Sequence, residues 1–222
     1  YKRQVPADNR TSAKEIFMSN TNNTLASTKN KTVMLTTMGL LTAIVVVLQA
    51  MAIAIRFGVF NITLVLVPIV VGAALYGWKA GAWLGFVFGV VVLFTDAGAF
   101  LAINIPGTII TVLLKGTLAG AAAGFIYSLF SRKNDILGVI GAGIVSPIVN
   151  TGIFLLGCLV FFYDTIAQWA AGAGFENVGA YMVTAFVGLN FVVELAINLV
   201  LSSAIVLILK VAKKRIFCLL YT

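Results

Sequence analysis

From Val33 to Ile55 the chain runs 23 residues without a charge. At about 1.5 Å of rise per residue, a helix of that length crosses a hydrocarbon core of about 30 Å. Lipid offers the backbone no hydrogen-bond partners, so a segment of this kind must satisfy its own amides, and a helix does so. The remainder has the same character: 61% of the 222 residues are hydrophobic and 10% charged. Soluble domains carry about a quarter charged residues. The chain therefore reads as an all-α membrane protein.

Apolar runs at 33–55, 62–76, 81–94, 108–130, 136–163 and 181–209 predict six transmembrane helices within a domain spanning 31–215. Residues 1–30 are polar and lack apolar periodicity, so a disordered cytoplasmic tail is expected there, with a short C-terminal tail at 216–222. Met18 resembles a natural start, and residues 1–17 are expected to be foreign to the native chain. No signal peptide is expected, because the first apolar run lies behind 30 polar residues and is too long for an h-region.

The second and third runs are short, reaching only about 21–23 Å, which admits a re-entrant hairpin. Charge placement favours two crossings. With six spans, thirteen of the fifteen basic residues share one side: six in the tail, Lys79, Arg132, Lys133, and four near the C-terminus. The other side holds Asp96, Asp164, Glu176 and Arg56. The excess of basic residues marks the cytoplasmic face and places both termini there. It also accounts for the net charge of +8 without invoking nucleic acid.

Several chemistries are excluded. The chain has no histidine, and its two cysteines, Cys158 and Cys218, lie 60 residues apart in separate segments. No metal set, disulfide framework or catalytic nucleophile–base pair emerges. The nearest approach to a phosphate loop, LLKGT at 113–117, has the wrong order and spacing. The chain is thus not expected to be an enzyme or to carry a cofactor, and active transport would draw its energy from another chain or an ion gradient.

Lys115 and Glu194 stand inside apolar spans. A charge at the bilayer centre costs about 2.5–3.5 kcal/mol even on the gentlest scale, so such residues face a cavity or a partner. Lys115 lies about 10 Å below the outer boundary and Glu194 about 20 Å, so a direct pair needs helix tilt or an intermediary. The same outer half collects Gln49, Asn61, Asn104, Thr108, Asn150 and Asn190. Thr108, Thr111 and Lys115 share one side of their span, and Asn190, Glu194 and Asn198 share a face of theirs. One cation among neutral amides and hydroxyls suits a small, polar, acidic solute; a structural Lys–Glu pair is the alternative. Glycines at 81, 85 and 89 and at 116, 120 and 124 form close-packing faces. Two small-residue pairs on the first span, Gly39 with Ala43 and Ala50 with Ala54, are candidates for docking another membrane subunit.

The stretches NITLVLVPIVVGAALYGWKAGAWLGFVFGVV (61–91), LLKGTLAGAAAGFIYSLFSRK (113–133) and SPIVNTGIFLLGCLVFF (146–162) resemble the substrate-binding S component of energy-coupling factor (ECF) transporters. The pantothenate-specific subgroup is the most similar. The resemblance implies a multi-pass protein of the bacterial plasma membrane, with six helices and cytoplasmic termini. It further implies capture of a small water-soluble vitamin near the outer face. Partners would be a transmembrane coupling subunit and two ATPases that hydrolyse the ATP. In that family docking uses an Ala-x-x-x-Ala pair on the first span. Here Gly39–Ala43 departs from the pattern in one position, whereas Ala50–Ala54 matches but lies further out. The alternatives are specificity for another vitamin or a self-sufficient channel or secondary transporter. The inverted repeat that would support the latter is not evident.

Overall fold

A computed structural model describes the backbone of residues 9–52, 56–57, 60–61 and 64–221, and side chains over 31–52, 64–184, 187–188 and 191–211. The first helix, α1 (Asn9–Ala52), contains the apolar span Lys31–Ala52. Its backbone stays helical back to Asn9, where the sequence reading expects a disordered tail. Once an apolar span has nucleated a helix, each added residue gains a hydrogen bond, so polar residues can prolong it. A two-residue antiparallel ladder follows, with β1 (Arg56–Phe57) pairing Arg56 with Asn61 and Phe57 with Phe60 of β2 (Phe60–Asn61).

Next comes a helical hairpin, α2 (Leu66–Tyr76) and α3 (Trp78–Thr95), joined by Gly77 alone. At φ 86° Gly77 occupies backbone space that L residues with a Cβ enter only under strain. Pro68 lies in the first turn of α2, where its missing N–H costs no helical bond. A one-turn helix, α4 (Gly98–Leu101), leads to α5 (Ile105–Phe130), then α6 (Asp135–Phe161). Side-chain caps start both long helices: the Gly107 and Ile136 amides donate to Asn104 Oδ1 (3.0 Å) and Asn134 Oδ1 (2.9 Å). Beyond α6 lie α7 (Tyr163–Gly172), α8 (Val178–Tyr181), a π-helical turn (Met182–Phe186) and α9 (Gly188–Tyr221).

Among the described residues five helices are long and apolar enough to cross a membrane: Lys31–Ala52, Trp78–Thr95, Ile105–Phe130, Asp135–Phe161 and Phe191–Val211. The second expected span appears as α2, only 11 residues long, with eight of them buried. Helices α1, α3, α5, α6 and α9 pack around α2, so its backbone is enclosed by protein over most of its length. The third expected span is longer than the apolar run: 18 residues, because Trp78 and Lys79 belong to the helix. Such residues tolerate a helix end at an interface by keeping their polar tips in the headgroup layer. The last expected span is shorter than the apolar run, since α8 and the π turn occupy its first residues.

Helices α3 and α5 run antiparallel along a glycine seam. A Cβ on Gly81 would meet the Gly120 carbonyl, and one on Gly85 the Gly116 carbonyl. One on Gly89 would lie 2.9 Å from Val112 O. Two backbones approach that closely only where side chains are missing. The core beside the seam is built from Leu66, Ile69 and Val70 of α2 with Leu84 and Phe88 of α3.

Candidate functional site

A cavity of about 320 Å³ opens where the C-terminal ends of α1, α3 and α6 meet the N-terminal halves of α5 and α9. Alternating helix directions put the basic residues flanking the spans, including Lys31, Lys79, Arg132, Lys133 and Lys210, at the opposite ends of these helices. The lining combines Gln49, Asp96, Thr108, Thr111, Lys115, Asn150, Thr151 and Glu194 with Phe88, Phe100, Phe154 and Phe162.

The interior ammonium belongs to Lys115 on α5. Its Nζ stands 4.9 Å from the centroid of the Phe154 ring of α6, a cation–π contact that replaces part of its lost hydration. Glu194, 5% exposed, brings a carboxylate from α9 into the same cavity. Lys115 and Glu194 lie at different distances along their helices, yet one compartment receives both. Below Glu194, Asn198 Nδ2 donates back to the Glu194 carbonyl at 2.9 Å.

A second polar group comes from α1. Gln49 Nε2 donates to Asp96 Oδ2 at 2.8 Å and to Thr95 Oγ1 at 3.3 Å, tying α1 to the end of α3. A carboxylate only accepts, so the amide nitrogen must face Asp96. Gln49 Oε1, Thr111 Oγ1 and Asn150 Oδ1 are buried oxygens on cavity-lining side chains with no hydrogen-bond partner among the described residues. Buried polar atoms nearly always find partners, so such atoms gathered around one cavity mark a place where a ligand can supply them.

Aromatic rings close one side. Phe100 of α4 meets Phe154 (5.7 Å between centroids), Phe162 (5.1 Å) and Trp169 (6.0 Å) edge-to-face, so α4, α6 and α7 share one aromatic cluster. Edge-to-face pairs add about 0.5–1.5 kcal/mol beyond their area.

Of the candidate binding residues Asn61, Asn104, Thr108, Lys115, Asn150, Asn190 and Glu194, the cavity is lined by Thr108, Lys115, Asn150 and Glu194. Asn104 does not: its side chain caps α5, and its carbonyl accepts from Thr108 Oγ1 at 2.7 Å. Asn61 lies in β2 and Asn190 in α9, but their side chains fall outside the described residues. Of the docking candidates, Gly39, Ala43 and Ala50 are exposed on α1, whereas Ala54 lies outside the described residues. Sequence reasoning missed Asp96, Phe100, Phe154 and Thr151. Asp96 counted there only as an outer-face charge, and a phenylalanine in an apolar run carries no mark distinguishing cavity from lipid.

The chain is 26% identical over 159 residues to the "Pantothenic acid transporter PanT" of Lactococcus lactis subsp. cremoris (strain MG1363), covering 65% of this chain and 75% of that protein. No solved structure matches significantly. The family described as "ECF transporter, substrate-specific component" matches residues 33–209, the whole membrane domain from the first span to the last. This multi-pass membrane protein belongs to the family of ECF transporter substrate-specific components.

Proposed function

We propose that the chain is the substrate-capture subunit of an ATP-driven ECF importer in a bacterial plasma membrane, and that its substrate is pantothenate. The carrying observation is Lys115: one ammonium, inside the membrane domain, on the wall of a small cavity otherwise supplied with amides, hydroxyls and carboxylates. Pantothenate is a carboxylate with two hydroxyls and one amide. The Lys115 ammonium receives its carboxylate, and Thr108, Thr111, Asn150 and Glu194 serve the remaining polar atoms. At about 320 Å³ the cavity lies at the small end of ligand pockets, which run about 300–1,000 Å³. That size favours a compact vitamin over the fused-ring ones. The relative's printed name points the same way.

In this reading α2 supplies the sixth crossing, both termini are cytoplasmic, and the cavity faces outward. The distribution of basic residues supports that orientation. A transmembrane coupling subunit docks on the exposed small residues of α1, Gly39, Ala43 and Ala50, and two ATPases drive the cycle. The deciding experiment is equilibrium binding of labelled pantothenate to the purified chain, with riboflavin, folate and thiamine as competitors. Saturable binding displaced by pantothenate alone supports the reading, as does co-purification with ATPase subunits. Displacement by another vitamin overturns the substrate while leaving the family intact.

A further inference from the structure

We infer that Gln49 of α1 is a ligand-binding residue that accepts a hydrogen bond from a ligand hydroxyl, so that the ligand lies with its hydroxyl end at α1 and its anionic end at Lys115. The inference rests on the capture of a hydroxylated carboxylate proposed above and adds the orientation and the contact with α1. Gln49 is 1% exposed and lines the cavity. The two hydrogens of its amide nitrogen are committed, one to Asp96 Oδ2 at 2.8 Å and one to Thr95 Oγ1 at 3.3 Å. What remains for a ligand is Oε1, which only accepts and has no partner among the described residues. A ligand carboxylate, also an acceptor, would gain nothing from that atom and would be repelled by the Asp96 carboxylate beside it. A hydroxyl donates to Oε1, and a second hydroxyl on the same ligand can donate to Asp96.

The other end is fixed by the same reasoning with the opposite sign. Lys115 is carried by α5 and meets the Phe154 ring of α6, and its ammonium only donates. The cavity therefore presents an acceptor pair carried by α1 and α3 and a cationic donor carried by α5. A ligand with hydroxyls at one end and a carboxylate at the other satisfies both in one orientation; in the reverse its carboxylate faces the Asp96 carboxylate, and Lys115 is left with a neutral hydroxyl as acceptor.

The test is a cycle between protein and ligand in the full chain in detergent. Dissociation constants are measured for the wild type, Gln49→Leu and Lys115→Met with three ligands. These are pantothenate, the uncharged alcohol panthenol, and an analogue lacking both hydroxyls. Losing a hydrogen bond to a neutral group weakens binding up to about tenfold. Gln49→Leu should weaken pantothenate and panthenol by that same factor and leave the deoxy analogue unchanged. Lys115→Met should penalise pantothenate and the deoxy analogue but spare panthenol. An equal penalty from Gln49→Leu on all three ligands would make its role purely structural and overturn the inference. A penalty that vanishes with panthenol instead would reverse the orientation and overturn it too. The wild-type chain alone supplies a check free of folding effects: removal of the hydroxyls should itself cost about tenfold or more, and equal affinity for the deoxy analogue overturns the inference. Wild-type protein that binds no pantothenate strikes the substrate reading underneath, a result distinguishable from all of these.

Discussion

Replacing Gly85 by alanine tests the packing that holds the cavity-bearing helices together. The added Cβ would run into the Gly116 carbonyl and lie 3.3 Å from the Thr117 Cα, and all of these are backbone atoms with no rotamer to relieve them. Helices α3 and α5 must therefore move apart along the seam. A gap of about 0.5–1 Å already forfeits a quarter to a half of each dispersion contact across it. Overpacking of this kind costs about 1–3 kcal/mol. Alanine returns up to about 1 kcal/mol in helix propensity, which leaves a net loss of up to about 2 kcal/mol. For a chain of this size each kcal/mol lowers Tm by about 2–4 °C. Gly152→Ala is the control, because its Cβ would meet nothing within 4 Å and keeps only the propensity gain. Cys158, fully buried in α6, serves as the reporter: in a Cys218→Ser background a thiol-reactive dye labels it only on unfolding. Gly85→Ala should melt below the parent and Gly152→Ala at or above it. Equal melting temperatures for the two variants would refute the claim that the seam is backbone-limited.

Lys115→Met should weaken pantothenate binding roughly 10- to 100-fold, whereas Lys79→Met, at the far end of α3, should change it by less than about twofold; equilibrium binding separates the two. Ala43→Leu, on the exposed face of α1, should leave vitamin binding in detergent intact and reduce recovery of the coupling subunit in a pull-down. Tyr127→Phe removes the hydroxyl that donates to Asp135 Oδ1 at 2.8 Å. It should lower stability by about 1 kcal/mol, or roughly 2–4 °C in the same dye ramp, with affinity unchanged. Thr111→Val, nearly isosteric, removes a buried hydroxyl that has no partner among the described residues. It should raise the Tm of the ligand-free protein by about 2–4 °C while weakening pantothenate binding.

The long spans were legible because a continuous apolar run is a large signal in which few alternatives compete. Lys115 and Glu194 were legible for the complementary reason, since a charge in such a run is costly enough to demand an explanation. The limits of the reading follow from the same physics. Hydropathy found the second apolar run but could not show that it folds as the short, protein-enclosed α2, because enclosure depends on neighbouring helices and not on the run itself. Asp96 falls at the C-terminal end of α3, where a carboxylate is unremarkable, and only the fold turns it toward Gln49. Phe154 reads as one more lipid-facing ring until α6 is set beside Lys115. Asn104 shows the converse: an amide before Ile-Pro-Gly looks like a ligand contact, but its place at the start of α5 makes it a cap.

The stability and the binding of this domain pull against each other at identifiable atoms. An unpartnered buried polar group costs about 1–3 kcal/mol, and Gln49 Oε1, Thr111 Oγ1 and Asn150 Oδ1 all line one cavity. The glycine seam works in the opposite direction, fixing α5, and with it Thr111 and Lys115, against α3 and Asp96 through backbone contacts that no side-chain motion can relax. Binding sites elsewhere show the same compromise, giving up stability locally to hold unsatisfied groups in place. A ligand that meets these atoms supplies the hydrogen bonds the protein does not, at groups the fold already holds in place. By mass action such a ligand stabilises the protein in proportion to the logarithm of its concentration above Kd. That gain should be smaller in Thr111→Val than in the wild type, since one of the atoms the ligand would satisfy is then absent.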